Sequence, residues 1–71
     1  MIVEGRSFYV TIRRDSRTGW LLGPYESHTE ALDNVRIGRE KANLADPYSF
    51  FDEFGTASLP SEMPITTVFG R

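Results

Sequence analysis

Residues 20–32, WLLGPYESHTEAL, constrain the fold more than any other stretch of the chain. Trp20, Leu21 and Leu22 form a short apolar run of strand character. Gly23 and Pro24 follow, and a proline cannot donate to a sheet ladder, so the strand is expected to stop there. Ser27, His28, Thr29 and Glu30 then match a capping box: the Ser27 hydroxyl accepts from the N–H three residues on, and Glu30 reaches back to the Ser27 N–H. A helix is therefore expected from about residue 28. It should run to about residue 45, because Pro47 pushes Asp46 out of helical angles.

The flanking residues extend this frame. In SFYVTIRR, residues 7–14, Phe8, Val10 and Ile12 alternate with Tyr9, Thr11 and Arg13. Period-two alternation of aromatic and β-branched residues reads as a half-buried strand. Residues 15–19, DSRTG, are turn formers ending in glycine, which suits a hairpin connection to a return strand over residues 19–23. In the helix, Ala31, Leu32, Val35, Gly38 and Ala42 share one stripe. Most are small, so the helix can sit close to a sheet with Phe8 and Trp20 beneath it. Asp33 with Arg36, and Arg36 with Glu40, stand at pairing distances along the helix. Ile37 and Leu44 lie on the opposite face, where either the C-terminal tail covers them, which is the favoured reading, or they belong to an interface.

Two readings compete after Asp46. Asp46 can cap a further helical turn with Pro47 at its first position. Alternatively, residues 50–58 form a third strand with Gly55 at a bulge or close contact; this is the favoured reading. Pro60 and Pro64 bound a polar connection, and residues 65–69, ITTVF, are either a short fourth edge strand or an ordered tail. The expected fold is one α+β domain over residues 1–71. It is a two-layer β-β-α-β(β) arrangement, a small antiparallel sheet with one helix packed on one face. The other face would be open, lined by Tyr9, Thr11 and Arg13, with Leu21 and Tyr25 as further candidates.

Composition narrows the chemistry. Seventy-one residues allow one domain with a thin core. There is no cysteine and one histidine, so neither a disulfide nor a thiolate or histidine metal cluster can be built, and no cofactor is implied. Nine aromatic residues are the main means of filling the core. The net charge of −2 disfavours a nucleic-acid binder. No run approaches the ~20 apolar residues of a membrane span. The start, MIVEGR, lacks the pattern of a secretory signal. A cytoplasmic location is expected.

Catalytic groups are sparse. His28 falls in the first helical turn, where a solvated surface role is the ordinary one, and Ser27 is used by the cap. Asp52 and Glu53 are neighbours and would point to opposite faces of a strand. Asp46 with these two could hold a cation only loosely, since no EF-hand spacing is present. The glycines read as punctuation and packing. Arg6, Arg13, Arg14 and Arg17 cluster around the hairpin, with Tyr9 and Trp20 interleaved. A basic two-stranded ribbon can enter a major groove. Charged residues at hairpin tips also serve simply to solvate an edge, and this is the favoured reading.

The pieces GPY-x-S-x-x-EAL, DPY and FDEFGTAS resemble a group of small proteins encoded in bacteriophage and prophage genomes. The matching residues are Gly23, Pro24, Tyr25, Glu30, Ala31, Leu32, Asp46, Pro47, Phe54, Gly55 and Thr56. The resemblance spans most of the chain, about residues 8–59, and implies a genomic setting within a bacterial host but no mechanism. A looser similarity is to the arm-binding N-terminal module of phage-type integrases, in which a small sheet precedes a helix. This chain departs from that module in being acidic overall and in having no lysine on its sheet. The expected function is non-enzymatic protein–protein binding, to a host factor such as a defence component or to a second copy. The alternative is a β-ribbon DNA-binding or regulatory module. Candidate partner-binding residues are Tyr9, Arg13, Arg14, Arg17, Ile37, Leu44 and Tyr48.

Overall fold

The alternation in SFYVTIRR becomes β1, Arg6–Arg14, the central strand of a three-stranded antiparallel sheet. A computed structural model describes residues 5–63 and 65–70 of the chain, without the side chains of Phe50 and Phe51; the boundary assigned to Pro64 lies outside this set. β2 is Arg17–Tyr25 and β3 is Glu53–Pro60, in the order β2-β1-β3. The expected α+β fold is present, with helices packed on one face of the sheet.

The hairpin is tighter than expected. Only Asp15 and Ser16 are outside the strands, and Arg14 pairs with Arg17. Asp15 takes φ 55°, a left-handed conformation that aspartate tolerates better than most residues. Arg17, Thr18 and Gly19 are thereby released into β2. Gly19 is a packing residue there, since a Cβ would come within 2.9 Å of Ile12 Cγ2.

β2 also fails to stop at Pro24 and runs on to Tyr25, which pairs with Phe8. The proline sits on the outer strand, next to an irregular stretch of register, where the missing N–H is tolerated. The Gly23–Pro24 peptide is cis and Gly23 has φ 130°. A second irregularity leaves Leu21 as the extra residue between Trp20, opposite Thr11, and Leu22, opposite Val10. Such a bulge lets Leu21 and Leu22 both reach the core.

Ser27 caps the helical segment, its Oγ accepting from Glu30 N–H at 3.2 Å. Glu30 reaches one residue further back than the capping box predicts, its Oε2 accepting from Glu26 N–H at 3.2 Å. The single expected helix is divided in two: α1, His28–Asp33, and α2, Val35–Ala45. Asn34 makes the break. Its side-chain amide donates to the Glu30 carbonyl at 2.7 Å, competing with the backbone ladder. The break separates Asp33 from Arg36, and no ion pair joins them among the described residues, whereas Arg36 and Glu40 approach within 3.8 Å.

Ala31, Gly38 and Ala42 are buried as the small-residue stripe requires, and Val35 is half-buried, but Leu32 is exposed. At Gly38 a Cβ would lie 2.8 Å from Val10 Cγ1, so α2 and β1 approach at this point closer than any side chain allows. The core between the layers contains Val10, Leu21, Leu22, Tyr25, Ala31 and Ala42, flanked by Phe8, Ile12, Val35, Phe54 and Phe69. Trp20 is not in it. It stands opposite Thr11, on the other face, with its ring 5.3 Å from Tyr9 in an edge-to-face contact.

That other face is therefore not the open surface expected from alternation. Tyr9 is 2% exposed and Thr11 is also buried, while Leu21 and Tyr25 belong to the helix-side core. The C-terminal tail returns to the far edge of the sheet. Val68 N–H donates to Trp20 O at 3.0 Å, Phe69 N–H to Leu21 O at 2.9 Å, and Gly23 N–H to Gly70 O at 2.8 Å. The tail thus runs parallel to β2 along its outer side, hydrogen-bonded but without forming a regular strand.

Candidate functional site

Both competing readings of the segment after Asp46 hold, in succession. Asp46 Oδ1 accepts from Tyr48 N–H at 3.0 Å and caps a 3₁₀ turn, Pro47–Phe51, with the proline at its start. β3 begins only after it, at Glu53. Gly55 is no bulge: it pairs in regular register with Thr11, and a Cβ there would touch nothing.

The two ends of this 3₁₀ turn are tied to the hairpin by one side chain. Arg14 Nε donates to Asp52 Oδ1 at 2.8 Å and its Nη2 to Asp52 Oδ2 at 2.7 Å, a two-pronged contact matched to the guanidinium fork. The same Nη2 donates to Asp46 Oδ2 at 3.1 Å. The Asp52 side chain is only 5% exposed. The hydrogen bond from Arg14 holds its carboxyl below the ordinary aspartate range, against the opposing effect of desolvation, and the Arg14 guanidinium is correspondingly held more firmly in its charged form. Asp46 and Asp52 therefore converge on a cation, but that cation is Arg14. Among the described residues, no group of three His, Asp or Glu side chains could hold a metal ion.

The turn is pinned from below as well. Ser49 is buried, and its hydroxyl donates to Asn43 Oδ1 of α2. With both carboxylates and Ser49 fixed, Tyr48 projects outward and is 76% exposed. It borders an open depression shared with Arg13, Arg14, Asp15, Asp52 and Glu53. On the solvent side of α2, Leu44 is 88% exposed and Ile37 is 39% exposed. The cover expected from the C-terminal tail is not there for Leu44, because the tail is drawn to the outer side of β2 by its backbone bonds to Trp20, Leu21 and Gly23.

The structure thus separates the residues expected to meet a partner. Ile37, Leu44 and Tyr48 are presented by α2 and the turn that follows it. Arg13 and Arg17 are exposed at the hairpin end. Arg14 is half-exposed but engaged by two carboxylates. Tyr9 is excluded, because its ring is sealed beside Trp20. Arg6, the remaining member of the basic cluster, lies at the opposite end of β1 with its Nη2 2.9 Å from Ser58 Oγ.

His28 opens α1 as expected. Its Nε2 is 2.9 Å from Thr56 Oγ1, and its ring lies 6.0 Å from that of Phe8. The imidazole thereby pins the start of the helix to β3. Sequence reasoning missed the Arg14–Asp46–Asp52 cluster. Its members are separated by up to 38 residues, and only the packing of the turn against the hairpin brings them together. Compared with protein-family models, with curated proteins and with solved structures, the chain has no match in any of the three.

Proposed function

We propose that this is a small non-enzymatic accessory protein that binds another protein through Ile37, Leu44 and Tyr48. The observation that carries the reading is the exposure of Leu44 at the end of α2 and of Tyr48 on the turn that follows, which Arg14, Asp46, Asp52 and Ser49 tie to the rest of the fold. Burying a leucine side chain is worth about 1.5–3 kcal/mol, and tyrosine is among the residues that dominate binding energy at interfaces. A pre-ordered platform also reduces the entropy lost on association. Arg13, beside Tyr48 in the same depression, supplies a cation at the margin. The bacteriophage or prophage setting, and with it the cytoplasm of a bacterial host, rests on the sequence resemblance and the absence of cysteine.

The hairpin is the weaker candidate. A DNA-binding ribbon needs its arginines free for phosphate, and Arg14 is already neutralised by Asp46 and Asp52. The test is affinity capture from bacterial lysate with wild-type protein and with a Leu44→Asp, Tyr48→Ala variant. A partner retained by the wild type and lost by an equally folded variant supports the reading. Recovery of the same proteins by both overturns it. A salt-sensitive gel shift on mixed DNA, lost with Arg13→Ala and Arg17→Ala, would move the function to the hairpin.

A further inference from the structure

The two edges of the sheet are not equivalent. The tail bonds to the outer side of β2, whereas β3 pairs with β1 alone, so β3 is the open edge among the described residues. Its outward-facing groups follow from the register. Antiparallel neighbours alternate between hydrogen-bonded and non-bonded pairs. Arg14 and Arg17 flank the two-residue turn, which places the polar backbone groups of even-numbered β1 residues towards β2. Two observed bonds confirm the alternation. Trp20, opposite Thr11, turns its carbonyl away from β1 to accept from Val68. Beyond the end of β3, Ser61 N–H donates to Gly5 O at 2.8 Å, so the odd-numbered residues of this strand face β3. Gly55, Ala57 and Leu59 consequently bond to β1, and Phe54, Thr56 and Ser58 turn their N–H and C=O groups outward.

An edge of this kind is usually blunted by charge, proline or a bulge. Here the register with β1 is regular from Arg6 opposite Pro60 to Arg13 opposite Glu53. Residues 54–59, FGTASL, carry no charge. Pro60 and Glu53 guard only the ends. Arg6 Nη2 reaches the Ser58 carbonyl at 3.2 Å, but a carbonyl can accept a second bond.

We propose that this edge pairs with the β3 edge of a second copy, antiparallel about a twofold axis at Thr56. This surface is separate from the one assigned to the partner above. In this register Thr56 faces its own counterpart, Phe54 faces Ser58, and Gly55 faces Ala57. Threonine pairs are favourable cross-strand neighbours. Glu53 falls opposite Leu59, so no two like charges oppose each other across the seam, and Arg6 beside Ser58 is carried towards the acidic end of the partner strand. A twofold contact is self-complementary. With the other edge covered by the tail, pairing closes at a dimer and does not propagate into a fibre.

The test is mass by sedimentation equilibrium from micromolar to millimolar concentration, with amide hydrogen exchange read on the same samples. The mass should rise from 8.1 kDa towards twice that value. The Thr56 and Ser58 amides should gain protection as it does. Thr56→Pro removes the central outward N–H without removing a bond to β1, and should hold the mass at the monomer value. Leu44→Asp should leave the dimer intact. A monomer at every concentration overturns the proposal. So does a dimer whose Thr56 and Ser58 amides gain no protection, or one dispersed by Leu44→Asp. If Thr56→Pro fails to fold, the exchange of the wild-type amides alone decides.

Discussion

Gly38→Ala should be harmful here although it would be beneficial on an ordinary helix. In an exposed helix interior the change gains about 1 kcal/mol, since alanine is the better helix former. At Gly38 the added Cβ would stand 2.8 Å from Val10 Cγ1, 3.4 Å from Leu22 Cδ1 and 3.7 Å from Leu21 Cδ1. The first contact decides the sign. Val10 is fully buried, and a β-branched side chain has little rotamer freedom with which to retreat. Overpacking of this kind costs about 1–3 kcal/mol. The net effect is then a loss of up to about 2 kcal/mol, each kcal/mol lowering the melting midpoint by about 4–8 °C in a domain of this size. Urea denaturation of four proteins measures it: wild type, Gly38→Ala, Val10→Ala and the double variant. A fixed concentration of TMAO keeps the weaker background folded. With Val10 shortened the clash is gone, so Gly38→Ala should stabilise that background by about 1 kcal/mol. Refutation would be a stabilising Gly38→Ala in the wild type, or the same effect in both backgrounds. Either result would mean that α2 does not rest on β1 at this glycine.

Gly23→Ala should be more damaging. Its Cβ would meet Phe8 O at 2.9 Å and Tyr9 Cδ1 at 2.7 Å on a backbone at φ 130°, and conformational strain plus overpacking sum to about 2–6 kcal/mol, read as the loss of a cooperative thermal transition. Ser27→Ala removes the acceptor for Glu30 N–H and should lower stability by about 0.5–2 kcal/mol in urea, with Ser27→Asp restoring most of it. Asp52 is held below its ordinary pKa by Arg14, so its contribution is complete above the ordinary aspartate range and is lost as pH falls through the lowered value. Acid titration of stability should therefore be shallower in Arg14→Gln than in the wild type, and unchanged slopes would separate the pair from folding.

Local chemistry was legible wherever a single segment decides its own conformation. The alternation of Phe8, Val10 and Ile12 against Tyr9 and Thr11 specifies β1, because a strand's period of two acts on neighbours alone. Ser27 and Glu30 mark the helix start within a few residues, and the small stripe of Ala31, Gly38 and Ala42 announces a close helix–sheet contact. That Ile37 and Leu44 share the face turned away from the sheet follows from the same helical geometry, but that the tail leaves Leu44 bare does not, since the course of the tail is set by its bonds to β2. The break at Asn34 was harder to see, since it depends on whether a side-chain amide outcompetes the ladder.

What remained hidden depends on contacts between residues distant in the chain. Alternation states which residues share a face but not what lies against it, so Tyr9 read as exposed when it is sealed. Arg14 read as a free cation because nothing near it in sequence shows that Asp46 and Asp52 will close on it. Pro24 read as the end of β2, whereas it falls where the register with β1 slips between Leu22 and Tyr25, so that no ladder bond is asked of its missing N–H. The sequence by itself determined the order and type of the main elements, through backbone preferences and hydrophobic period. Only the tertiary structure decided which edge of the sheet the tail covers and which charges are already neutralised. Both are settled by pairing across tens of residues, and no local pattern records that.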